Sequence, residues 1–368
     1  MSGAPNRPAD SPETPVDALA ADWDAFVQST GTGSYLQLSP WAQVKAVNGW
    51  RAVRSVETGP DDRFVIGAQV LVRRPRPMPW AFAYAPRGPV AADWSHESIA
   101  RLTETLRRVA GVAGPVAHVR IDPEIELDGP HDPDGALRES LRVAGWRTAA
   151  PIQPSSTRLI DLRADEETLW GDLRKKWRQY VNKARSAGVV VVDAGGERLA
   201  DFYRIYRETA ERAGFLIRTE QAYRDVWDAF APSGLARLLF AQTADGTPEA
   251  ALFLIRCGRR VVEPYGGMTA AGAESRANYL LKWEAIRSSK EQGAETYDLW
   301  GLATGGIAHF KTGFGGREVR YIGAWDLVLN PLGRLAYEGG QRARVWYARR
   351  RRGLSGSGSA AAFGGDAA

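Results

Sequence analysis

The segment from Gly301 to Arg317, GLATGGIAHFKTGFGGR, gathers more chemistry-bearing residues than any other short stretch of this chain. Lys311 is one of seven lysines among 48 basic residues, and it stands between Phe310 and Gly313 with His309 nearby. A surface loop rarely carries two Phe and several Gly unless its backbone must come close to a ligand. His309 beside Lys311 is of a type suited to acid–base work. The plain alternative for both is an exposed, solubilising side chain. The segment is expected to be a loop, and Lys311→Ala is expected to spare the fold.

Two basic clusters point to a polyanionic partner. Arg174, Lys175, Lys176, Arg178, Lys183 and Arg185 fall in one helical stretch, and Arg342, Arg344, Arg349, Arg350, Arg351 and Arg352 crowd the end. With 43 acidic residues the net charge is +5, so the clusters matter more than the total. RNA, a diphosphate or an anionic membrane surface would fit them; codon bias in a GC-rich genome is the plain reading of the arginine excess. Cys257 is the single cysteine, which excludes a disulfide framework, a cysteine zinc site and an iron–sulfur cluster. Four scattered histidines argue against a histidine metal site, so no metal and no resident cofactor are expected. No apolar run is long enough to span a bilayer, and the polar start is not a secretory signal, so the cytoplasm is the expected compartment.

The elements that must position these residues alternate between helix and strand. Residues 1–14 and 353–368 read as disordered. In the first half, helices are expected near residues 16–29, from Ser39 as N-cap, and at 99–109; strands at 51–57, 64–72, 81–84 and 116–121; and a helix at 135–144. In the second, a strand at 159–162 precedes one helix from Asp165 with Leu169, Leu173, Trp177, Val181 and Ala184 on its face. A strand at 189–192, helices at 199–212 and 221–230, and strands at 236–242, 250–257 and 260–265 follow. A helix at 279–292 and a strand at 297–300 close the unit.

The halves repeat one plan. Arg87 and Tyr265, at the ends of matching strands, are 178 positions apart, and so are Val119 and Tyr297 in the returning strands. The expected fold is mixed α/β (α+β), two tandem domains of the acetyltransferase (GNAT) type, in which two central strands splay apart over a cleft. Residues 15–155 form the first domain, completed by residues 320–352, and residues 156–319 form the second.

Four stretches carry a resemblance to a known family. They are Ser34-Tyr35-Leu36-Gln37 with Trp41 to Lys45; Lys175-Lys176-Trp177-Arg178 through Gly188-Val189; Tyr265-Gly266-Gly267 with Ala277 to Ile286 and Tyr297 to Gly301; and Phe310-Lys311-Thr312-Gly313-Phe314-Gly315. Together, in this order, they resemble the Fem (FemA/FemB/FemX) family of peptidoglycan bridge aminoacyltransferases. The resemblance implies transfer of an amino acid from aminoacyl-tRNA, as co-substrate, to the side-chain amine of a stem peptide. The acceptor is UDP-MurNAc-pentapeptide or lipid II. This is aminolysis of an activated ester, which requires positioning and charge stabilisation but no protein nucleophile.

The resemblance also implies roles. Lys311 would stabilise the transition state or the tRNA end, and Asp93 is offered as general base. Lys45 and Arg218 would hold acceptor phosphates, with Arg87, Tyr223, Tyr265 and Phe310 lining the site. Lys175, Lys176, Arg178, Arg349 and Arg350 would meet tRNA or an anionic membrane, giving peripheral contact at the inner face of the plasma membrane. Helical-hairpin arms of larger members are missing, so the chain resembles the compact FemX type, which tilts towards a soluble acceptor. An acyl-CoA-dependent N-acyltransferase is the main alternative, but TAAGAESRAN (Thr269 to Asn278) lacks the pyrophosphate-binding turn of that class. Aminoacyl transfer to a small natural product, or a non-catalytic RNA- or membrane-binding module, would share the basic features.

Overall fold

The computed structural model describes residues 19–112, 114–302 and 306–351. The ends expected to be disordered, residues 1–14 and 353–368, lie outside them. Helices α1 (Ala20–Ser29) and α2 (Ser39–Ala46) lead into a meander of β1 (Arg51–Thr58), β2 (Phe64–Arg73) and β3 (Ala81–Ala85). After the short β4 (Val90–Ala91), helix α3 (His96–Val112) crosses over to β5 (Val116–Ile121), which runs parallel to β3. Helix α4 (Ala136–Val143) and β6 (Trp146–Ala149) end this half.

The second half opens with β7 (Ser156–Asp161), α5 (Glu166–Asp172), α6 (Lys175–Ser186), β8 (Val190–Ala194), α7 (Leu199–Ala213) and α8 (Glu220–Phe230). Strands β9 (Ala236–Gln242), β10 (Pro248–Cys257) and β11 (Arg260–Met268) form its meander. Helices α9 (Ala270–Ser275) and α10 (Ala277–Glu291) cross to β12 (Thr296–Asp298), parallel to β11. Helix α11 (Gly306–Thr312) and β13 (Arg317–Arg320) follow, then β14 (Ala324–Val328) and α12 (Pro331–Arg351).

The repeat is visible in strand register. Ala83 pairs with Val119 and Tyr84 with Arg120 in the first sheet, and Val261 with Tyr297 and Val262 with Asp298 in the second. Each residue of the second set lies 178 positions after its counterpart. The chain crosses between the two sheets twice. β7, which follows β6, lies between β12 and β13 of the second sheet, and β14, which follows β13, lies between β5 and β6 of the first. Residues 150–155 and 321–323 make these two connections between the sheets. One apolar core cluster accordingly unites Tyr35, Trp41 and Phe82 with Phe202, Phe253, Tyr265 and Trp300.

Three local expectations are corrected. The helix expected from Asp165 to Ala184 is two helices. Asp165 does cap α5, accepting from the Thr168 amide at 2.7 Å, but the chain is extended at Leu173. Arg178 of α6 folds back to donate to the carbonyls of Gly171 (2.6 Å) and Leu173 (2.8 Å), satisfying helix-end acceptors of α5. Ser39 is the first residue of α2 rather than its N-cap, which is Leu38. Finally, residues 306–312 are helical rather than a loop, with Lys311 in the last turn.

Candidate active site

The splay between β11 and β12 creates the central feature. Their ladder stops at Val262 and Asp298, and β11 runs on through Tyr265 while the other strand turns away at Trp300. Trp300 has φ +46° and Gly301 φ +65°, two successive left-handed residues. That conformation is costly for a tryptophan, on the order of 1–3 kcal/mol. Asp298 helps to hold it by accepting from the Trp300 amide at 2.8 Å. The turn aims two main-chain oxygens at Lys311, whose ammonium donates to Gly301 O at 2.9 Å and to Trp300 O.

Lys311 is therefore a half-buried cation held by the main chain. Burial, offset in part by the Glu263 carboxylate, brings it down to about 8. An ammonium has three donors, and two are spent on main-chain oxygens. Glu263 is itself tied to Lys282 and accepts from Tyr297 Oη at 2.7 Å. The expectation that Lys311 contributes little to the fold is corrected by these bonds. Phe310 packs edge-on against Tyr279 (5.0 Å) and Phe314 (5.1 Å), so its ring supports α11 against the second core. Gly313 is required by Trp177 rather than by a ligand, because an added Cβ would lie 2.3 Å from that indole.

A second group of cations lies near Tyr35, whose ring is 5.6 Å from that of Trp300. Lys45 of α2 is buried, 5.1 Å from the Trp41 ring. Burial, then the positive charges of Arg218 and Arg73, hold it well below the usual lysine range. Arg218, just before α8, is also lowered by burial, opposed by the tyrosines Tyr265, Tyr223 and Tyr35. Its amide donates to Tyr223 Oη at 3.2 Å, and Tyr223 and Tyr265 pack edge-on at 5.1 Å. Helices α2 and α8 pack on one another, which brings a cation from each half together. Of the residues expected to bind substrate, Lys45, Arg218, Tyr223 and Tyr265 are thus gathered in one place.

The others are placed differently. Arg87 is buried in the domain interface, where its guanidinium pairs with Glu124 (3.2 Å), donates to Pro154 O (2.7 Å) and lies over the Tyr321 ring (4.7 Å). Glu124 also pairs with Arg260, which pairs in turn with Asp298. This chain of alternating charge ties the first half to the turn that faces Lys311. Asp93 is exposed and accepts from the Ser95 and Ser98 hydroxyls before α3, which lowers its carboxylate below the ordinary range. Lys175 and Lys176 are exposed at the start of α6, where the neighbouring Arg174 meets His309 at 3.2 Å. Arg350 is exposed near the end of α12, whereas the side chain of Arg349 lies outside the described residues.

Sequence reasoning assigned no role to Trp300, Tyr35, Arg260 or Glu124, although the first two fall in the quoted motifs. The buried pairing of Arg260 and Glu124 spans 136 positions and has no local pattern to reveal it.

The sequence profile of the FemAB family matches residues 19–244 and 241–339. The chain is 30% identical over 224 residues to the lipid II:glycine glycyltransferase of Staphylococcus saprophyticus, covering 60% of this chain and 53% of that protein. It therefore spans about half the length of the curated relatives it matches. A crystal structure of FemX superposes with a TM-score of 0.79 at 22% identity, covering 86% of this chain and 98% of that one. A tandem GNAT protein from the clavulanic acid biosynthesis pathway superposes at 0.50 with 12% identity, covering 86% and 96%. The fold is that of two tandem GNAT-like domains without an inserted arm, since only residues 187–189 separate α6 from β8. The chain belongs to the FemAB family.

Proposed function

We propose that this protein is an aminoacyl-tRNA-dependent aminoacyltransferase that extends the stem peptide of a peptidoglycan precursor. The observation that carries the reading is the meeting of Lys45, buried, and Arg218, half-buried, from opposite halves, beside Tyr35, whose ring packs on Trp300, the residue whose carbonyl Lys311 holds. Two like charges held close together are suited to an anionic ligand, and a pyrophosphate linkage supplies one. Lys311 then faces the reacting ester. The acceptor amine attacks the ester carbonyl carbon, a C–N bond forms, and the C–O bond to the terminal ribose breaks. The ribose oxygen leaves with a proton and the amine loses one. The remaining N–H of Lys311 is positioned to stabilise the oxygen that becomes negative.

The acceptor in this reading is lipid-linked. Arg73, which acts on Lys45, also lines a hollow of about 210 Å³ with Trp50, Met78, Trp80, Phe82 and Tyr337. An apolar carrier attached to the phosphates fits such walls better than a nucleotide does. Relatives named lipid II:glycine glycyltransferases favour the same class. Such a protein works at the inner face of the plasma membrane. The acyl-CoA alternative finds no support at α9, whose N-cap Thr269 serves the Gly272 amide (3.0 Å) within a helix of six residues. The test offers the protein acceptor with either charged tRNAs or acetyl-CoA and reads the products by mass spectrometry. A mass gain of one aminoacyl residue is expected with tRNA alone, and acetylation would overturn the reading.

A further inference from the structure

Helix α12 has two unlike faces. On the inner one, Tyr337 stacks on Phe82 at 4.0 Å, Arg334 donates to Asp326 at 2.8 Å, and Gly333 lets Trp80 and Ala117 approach. On the outer one stand Leu332, Leu335 and Trp346, exposed by 70%, 63% and 58%. At 100° per residue these three fall within one narrow stripe, which Arg342 and Arg350 share. The stripe runs about 27 Å along the helix axis. Arg350 lies 5.1 Å over the Trp346 ring. After Glu338 the sequence carries no acidic residue until Asp366, while six arginines fall between 342 and 352.

We propose that the outer face of α12 docks the protein on an anionic lipid bilayer. The proposal does not depend on the reaction assigned above. Leu332 and Leu335 would enter the acyl boundary, Trp346 would sit at headgroup depth, and Arg342 and Arg350 would meet lipid phosphates. This is the composition of a helix that lies in the interface plane: apolar residues on one stripe with arginine beside them and tryptophan among them. RNA would use the arginines but has no use for the leucines. A second copy of the chain would set like charges against each other across a two-fold axis.

The test is flotation of the full chain with phosphatidylcholine vesicles, with and without phosphatidylglycerol, beside a tRNA-binding titration. Binding to the anionic vesicles is expected. Leu332→Gln/Leu335→Gln and Trp346→Ala should each weaken it by at least about tenfold, with thermal unfolding unchanged. Arg342→Gln/Arg350→Gln should weaken it and flatten its salt dependence. Absence of vesicle binding at low salt would overturn the proposal. So would vesicle binding indifferent to the leucine and tryptophan changes, or a helix whose arginine variants lose tRNA alone.

Discussion

The ammonium of Lys311 stands 2.9 Å from the main-chain oxygen of Gly301 and also donates to that of Trp300. This bond ties the most conspicuous lysine of the sequence to the main chain. It also couples the short helix α11 to the strained turn at the end of β12. A cation fixed in this way keeps its direction when substrate arrives, which is what electrostatic stabilisation of a transition state requires.

Removal of that cation should cost both rate and stability. Lys311→Met is expected to lower kcat by roughly 10²- to 10³-fold. Two buried carbonyls losing their donor should also cost about 1–3 kcal/mol. Single-turnover transfer and thermal unfolding measured on the same preparation separate the two effects. Unchanged turnover in a folded variant would contradict the assigned role.

Activity should fall with rising pH. Burial brings Lys311 down to about 8, so the ammonium is present below that pH and is lost above it. The pH profile of kcat in wild type should therefore show a descending limb near 8. A profile flat through that range, with stable protein, would mean that the charge is not used.

Lys45 should trade stability for binding. Lys45 is depressed by burial and by Arg218 and Arg73, so its charged form is disfavoured in the folded protein. Lys45→Met is expected to raise Tm while raising KM for the acceptor by roughly 10- to 100-fold, the range of a charged hydrogen bond. Thermal unfolding and acceptor titration check both signs.

The interface chain should behave as a unit. Glu124 pairs with Arg87 at 3.2 Å and with Arg260, and Arg260 with Asp298. Glu124→Ala leaves two buried guanidiniums without their shared carboxylate, at an expected cost of about 3–5 kcal/mol. Denaturant unfolding reads the loss. A double mutant with Arg260→Ala should lose less than the sum of the singles.

Mild acid should destabilise the fold through His118. It is fully buried beside Phe82 and Tyr337, and burial lowers it from 6.5 to about 4. The unfolded chain takes up this proton first, so stability falls as pH drops from about 6.5 towards 4, by about 3 kcal/mol at most. His118→Gln should flatten that part of the stability profile relative to wild type.

The duplicated plan was legible because matching strands and turns recur at one spacing, and the register of β3 with β5 and β11 with β12 repeats it. Lys311 stood out by its scarcity and its Gly and Phe neighbours, but its burial did not, since a lysine gives no sign of it. Lys45, Arg218, Tyr223 and Tyr265 were found through motif likeness and are brought together. Arg87 was read as a substrate contact from the likeness of its loop to one that faces the site in the family. Its carboxylate partner Glu124 lies 37 positions away, beyond any local pattern. Asp93 was read from position alone, whereas its Ser95 and Ser98 partners spell a local turn before α3.

The central claim is that an activated aminoacyl ester and a lipid-linked acceptor meet between Lys311 and the Lys45–Arg218 pair. The most direct measurement is single-turnover transfer from charged tRNA to lipid-linked acceptor, read by mass spectrometry, for wild type, Lys311→Met and Lys45→Met side by side. The account predicts product from wild type, a lowered kcat for the first variant and a raised KM for the second. Transfer at wild-type rate and affinity by both folded variants would contradict it.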